Sequence, residues 1–172
     1  MKAITVRQPW ASLIVAGVKT IETRPAPPNG SMRPGGVRGL PGLPIEPGER
    51  IAIHASAAKP KIWWEPSWSY VESQHRPPDG HWLNLPGADA FDDGYESADG
   101  EWWHHAFGGP LAAIIGEVTV TEALPVQMIP ADYDQLPLGE FGPGRWGWML
   151  TDPEPCTPRP MKGRQGVWEV PA

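Results

Sequence analysis

At 172 residues, with 40% hydrophobic residues and a formal net charge of -6, the chain has the size and apolar content of one ordinary domain. Its longest apolar runs, at residues 13–16 and 111–115, fall far short of the roughly 20 residues of a membrane helix, so no membrane partner is expected. The acidic balance argues against general coating of nucleic acid, although residues 61–140 hold the acid, at a net -12, and the flanks are mildly basic.

Residues 3–7 alternate as a first strand. Pro9 then stands where proline is welcome, in the first turn of a short helix over residues 9–16, and Gly17 is its left-handed stop. Residues 20–24 resume as a strand, with Thr20, Glu22 and Arg24 on one side and Ile21 and Thr23 on the other. Lys19, Glu22 and Arg24 are thereby delivered to one small region by a tightly set backbone, which makes them the leading site candidates. The competing reading is a structural ion-pair cluster that holds the helix end against the strand.

Residues 25–48, dominated by Pro, Gly and Arg without a hydrophobic period, read as an extended surface loop. In residues 50–56 the alternation sets Ile51, Ile53 and Ala55 against Ala52, His54 and Ser56. Residues 60–110 carry six tryptophans, at 63, 64, 67, 82, 102 and 103, too aromatic for simple disorder; they read as an ordered insertion that packs on the domain or over a pocket. The strongest strand signal is at residues 111–121, where Ile114, Gly116, Val118 and Val120 oppose Ile115, Glu117 and Thr119. Strands at 145–150 and 166–170 complete the set, and Trp146 and Trp148, at period two, read as core.

With 23 prolines and 20 glycines, long helices are disfavoured and loops abound. The expected architecture is α+β: one domain over 1–172, a small mixed β-barrel of five to six short strands with a short N-terminal helix, and insertions at about 25–48 and 60–110. The single Cys156 makes neither a disulfide nor a thiolate metal site, and no apolar leader precedes the first strand, so a cytoplasmic protein is expected. The histidines at 75, 81, 104 and 105 lack metal-ligand spacing, so neither metal nor cofactor is expected. Arg145, Lys162 and Arg164, at strand ends, are candidates to join Arg24 and Lys59 around a phosphate, with simple solvation as the alternative.

Six segments in order, VRQPW at 6–10, GVKTIETR at 17–24, IHAS at 53–56, IIGEV at 114–118, GRWGWML at 144–150 and KGRQGVW at 162–168, resemble the ASCH family. They cover about half the chain and leave both insertions outside. The resemblance implies a PUA-like fold with a cleft near the Lys-x-x-Glu segment, and RNA or a modified nucleoside as partner. Among that family, the amidohydrolases of N4-acetylcytidine use a lysine, a threonine three residues on and a distant glutamate. Lys19 matches the lysine, Glu22 stands at the threonine position, and Asp132, Asp134 and Glu140 are open choices for the third carboxylate.

The functional expectation is therefore an RNA- or nucleoside-binding module whose ligand contacts are Trp10, Arg24, His54, Lys59, Arg145 and Lys162. The alternative is a hydrolase, an N-acyl nucleoside amidohydrolase or a ribonuclease, with Lys19 and Glu22 catalytic. A third reading is a protein-interaction surface on the tryptophan insertion. The oligomeric state is left open.

Overall fold

The computed structural model describes residues 1–28, 43–58, 95–96, 102–103, 110–130, 135 and 138–171. Lys59, Asp132, Asp134, the histidines at 75, 81, 104 and 105, and nearly all of the tryptophan insertion lie outside the described residues.

The expected α+β architecture is what the backbone builds. Strands β1 (Lys2–Val6), β2 (Ile21–Arg24), β3 (Glu49–Ala55), β6 (Ala113–Pro125), β7 (Trp146–Pro160) and β8 (Val167–Glu169) form one sheet in the order β2-β7-β6-β3-β1-β8. Its curl makes half of a small barrel. A separate two-stranded ribbon pairs β4 (Tyr95–Glu96) with β5 (Trp102–Trp103). The sheet is mixed, because β1 runs parallel to β3 while the other pairs are antiparallel. Parallel pairing brings the ends of β1 and β3 to the same edge, which positions the site described below.

Helix α1 (Trp10–Val15) is only six residues long and survives because both ends are closed. At its start the Gln8 side-chain oxygen accepts from the Ser12 backbone N–H at 3.1 Å and from its hydroxyl at 3.0 Å, satisfying a first-turn donor that Pro9 does not. At its end Gly17, with φ +76°, lets Val18 N–H reach Leu13 O and Gly17 N–H reach Ile14 O, a Schellman closure. The helix buries Ala11 through Val15, and its Ala11, Ile14 and Val15 pack against Ile51, Ile53, Ile115, Val118 and Trp148 in the main core.

Three departures from the expected pattern have physical causes. The alternation in β6 breaks: Ile115 joins Val118 and Val120 in the main core, while Ile114 packs on the other face with Ala3, Ala52 and Trp168. Ile53 pairs Gly116 and His54 pairs Ile114, so Ile115 is the extra residue of a β-bulge, which a strict period of two cannot anticipate. Strand β7 continues to Pro160 through four prolines, 153, 155, 158 and 160, far beyond the expected end at 150. Only residues 146–149 of β7 lie between two neighbours; beyond Thr151 it pairs with β6 alone, and an edge tolerates residues without an N–H. Finally, the Pro/Gly-rich loop is anchored at its far end: Ile45 is fully buried in the main core and its N–H donates to Pro28 O at 2.9 Å.

Candidate functional site

Lys19 follows the helix stop directly and is 2% exposed. Gln135 holds the backbone on both sides of it, accepting from Thr20 N–H at 2.8 Å and donating to Val18 O at 3.2 Å. The Lys19 ammonium donates to Ile21 O and lies 3.5 Å from Glu22 Oε2. Glu22 Oε1 in turn sits 2.9 Å from Arg24 Nε as an ion pair, out of line for a hydrogen bond. Arg24 also donates to Thr5 O at 3.0 Å. The cluster expected from spacing is thus one chain of charges, with the carboxylate between two cations. Burial pushes the Lys19 pKa below its ordinary value, against the pull of Glu22, and the nearby Arg24 and Arg145 guanidiniums lower it further.

Arg24 carries this cluster to a hollow of about 830 Å³. From β1 and its end come Thr5 and Arg7, from β3 and its end His54 and Ser56, and from the segment after β7 Met161, Lys162 and Arg164. Four cations, Arg7, Arg24, Lys162 and Arg164, border it, and no carboxylate stands among its described lining. In a chain of net charge -6 this is a local reversal of sign.

His54 is 1% exposed and fixed on two sides. Its Nε2 lies 3.0 Å from Met161 O; a carbonyl only accepts, so Nε2 carries a proton and donates it. Nδ1 is buried and has no hydrogen-bond partner among the described residues. The ring stands edge-on to Trp168, 5.5 Å between centroids at 77°, and the Trp168 indole donates to Thr5 Oγ1 at 3.2 Å. Gly163 covers the His54 ring so closely that an added Cβ would sit 2.5 Å from Nδ1 and 2.8 Å from Thr5 Oγ1. Gly163→Ala must therefore displace the imidazole or the segment that covers it. A loss of roughly 1–3 kcal/mol of unfolding free energy in urea is expected, the usual size of overpacking. An unchanged urea midpoint would show that the segment yields freely.

Of the residues expected at the site, Lys19, Glu22 and Arg24 come together, and Arg24, His54 and Lys162 border the hollow. Trp10 is half-buried against the main core and against Leu13 and Leu138, apart from the hollow's lining. Arg145 turns elsewhere, donating to Thr23 O at 3.1 Å and pairing with Glu140 at 3.1 Å. The Glu140 carboxylate is largely exposed. Arg7, Thr5 and Ser56 were not expected; their signal is the end of β1 beside the end of β3, which only the parallel pairing reveals. Among the described residues no helix is long and apolar enough to cross a membrane.

The class these observations define is an α+β protein with a curled half-barrel sheet and a cation-bordered hollow at one end of its parallel strand pair. No protein-family model matches the chain, and no curated protein does. Among solved structures it is similar to ASCH from Zymomonas mobilis, at 15% identity and a TM-score of 0.47, over 92% of this chain and 72% of that one.

Proposed function

We propose that this is an ASCH-like binding module whose hollow receives RNA or a nucleotide by its phosphate. The observation that carries the reading is the convergence of Arg7, Arg24, Lys162 and Arg164 on one hollow with no described acid in its lining. Arginine suits the planar, bidentate capture of phosphate, and lysine adds a point charge. Arg24 is already held by Glu22 and Thr5 O, so its guanidinium is ordered before any ligand arrives, which lowers the entropic cost of binding. The six ASCH-like sequence segments agree with this reading, because the IHAS and KGRQGVW segments supply His54, Ser56, Lys162 and Arg164.

The test is the salt dependence of binding to a fluorescent single-stranded RNA, followed by anisotropy. Each phosphate contact contributes a slope of about 0.7 in log K against log salt. Lys162→Ala with Arg164→Ala should weaken binding at low salt and flatten the slope by about 1.4. Both residues lie outside the hydrophobic core clusters, so the fold should persist. An affinity and slope identical to the parent's would sink the reading.

Hydrolysis by Lys19 and Glu22 is the second reading, favoured by one observation: a lysine whose pKa is lowered by burial approaches the neutral amine a general base needs. Against it, the Lys19 ammonium faces Ile21 O and Glu22, and Lys19 is not among the hollow's described lining. Deacylation of N4-acetylcytidine that is present in the parent and lost in Lys19→Met would transfer the assignment to catalysis.

A further inference from the structure

The described cations of this protein divide by whether a carboxylate answers them. Lys2, Lys19, Arg24, Arg50 and Arg145 each form an ion pair. Arg7, Arg159, Lys162 and Arg164 have no acidic partner among the described residues, and all of them except Arg159 border the hollow. Unanswered positive charge is thus gathered in one place, where like charges repel until an anion arrives. The backbone shows the same bias. In the segment at residues 161–165 two carbonyls are taken by the protein, Met161 O by His54 Nε2 at 3.0 Å and Arg164 O by the Thr5 hydroxyl at 2.8 Å. The N–H groups of Gly163, Arg164 and Gln165, all in the lining, have no acceptor among the described residues. Carbonyls tied to the protein and successive donors left open are the backbone arrangement of anion-binding concavities.

We propose that the hollow holds a compact polyphosphate group, two or more phosphates joined through shared oxygens, as carried by a small molecule. The inference rests on the phosphate-binding reading above and specifies the charge and shape of the ligand. A single phosphate monoester brings a charge of about -1.5 to -2 near pH 7. A phosphodiester link brings only about -1. Either leaves part of the charge on Arg7, Lys162 and Arg164 unanswered. A second phosphate joined directly to the first adds charge within the same space and more oxygens for the open N–H groups. A site for a long strand runs its cations along a groove that tracks the backbone. Here they border a single hollow, whose volume falls within the range of about 300–1,000 Å³ that small-ligand sites occupy. Arg24, held by Glu22 and Thr5 O, adds a guanidinium that is already in position.

The test titrates inorganic orthophosphate and inorganic pyrophosphate calorimetrically into the full chain at fixed ionic strength, for the parent, Arg7→Gln and Arg159→Gln. Both arginines are exposed and outside the hydrophobic core clusters, so both variants should keep the fold. Each substitution removes one unpaired positive charge, but only Arg7 borders the hollow. In the parent, pyrophosphate should bind at least about tenfold more tightly than orthophosphate, the size of one further charged hydrogen bond. Arg7→Gln should lower that ratio severalfold, and Arg159→Gln should leave it as it was. Equal affinities for the two anions in the parent overturn the polyphosphate inference. So does a ratio that the two variants change alike, which would make the preference an effect of bulk charge. RNA binding with the salt dependence described above leaves the phosphate-binding reading standing in either case. Binding of neither anion overturns the polyphosphate inference too, and the phosphate-binding reading falls with it where RNA also fails to bind.

Discussion

Truncating Trp148 to alanine should cost the fold about 3–5 kcal/mol, the range for emptying a large aromatic from a close-packed core. Trp148 is fully buried, sits in the main cluster beside Ile14, Ile51 and Val118, and donates its indole N–H to Ala26 O at 2.9 Å. Removing it leaves a cavity and a carbonyl without its donor, two separate losses. In register it stands opposite Glu22 on β2 and Ala123 on β6, so the same ring braces the strand that carries the charge cluster. Thermal unfolding should fall by on the order of 10 °C for a chain of this size. Trp148→Phe separates the two losses, since it keeps most of the volume and drops only the hydrogen bond; it should cost about a third as much. A midpoint for Trp148→Ala within about 1 kcal/mol of the parent would mean that the sheet collapses to fill the space.

What could be read from the chain follows from which interactions are local. The helix stop at Gly17 and the neighbouring positions of Lys19, Glu22 and Arg24 depend on residues within one turn and one strand, so the spacing already contains them. Trp146 and Trp148 were legible as core for the same reason, a period of two within one strand. The hollow was only half legible. Lys162 and Arg164 stand out as basic residues near a strand, but Arg7 enters because β1 lies parallel to β3 across more than forty intervening residues. Nothing in the local pattern distinguishes that pairing from an antiparallel one. The bulge at Ile115 was hidden likewise, because an extra residue in one strand exists only relative to its partner. Gln135, which clamps the backbone around Lys19, lies in a stretch with no periodicity at all and acts through side-chain contacts at a separation of 115 residues.

Glu22→Gln should destabilise the protein by about 3 kcal/mol, whereas Lys19→Met should stay within about 1 kcal/mol of the parent. The asymmetry follows from the order of the charges. Glu22 lies between two cations, and its removal leaves the buried Lys19 beside the half-buried Arg24, with Arg145 near and no carboxylate between them. Removing Lys19 instead relieves the desolvation of an ammonium that is 2% exposed and leaves Glu22 its pair with Arg24 at 2.9 Å. Glu22 is therefore not left as an uncompensated charge, which is what makes the loss of one partner of a buried pair costly. The pH dependence carries the same sign. Because the folded-state pKa of Lys19 lies below the ordinary 10.5, the unfolded chain holds a proton that the folded chain has shed over the interval between the two. Stability contributed by this group therefore rises as pH increases across that window, and Lys19→Met should flatten the rise. Urea unfolding of the three proteins from neutral to alkaline pH measures both effects. If Lys19→Met costs more than Glu22→Gln, the ammonium is the keystone of the cluster and Glu22 its accessory. Arg24 would then owe its position to Thr5 O alone, and the hollow's affinity for phosphate would survive the loss of Glu22.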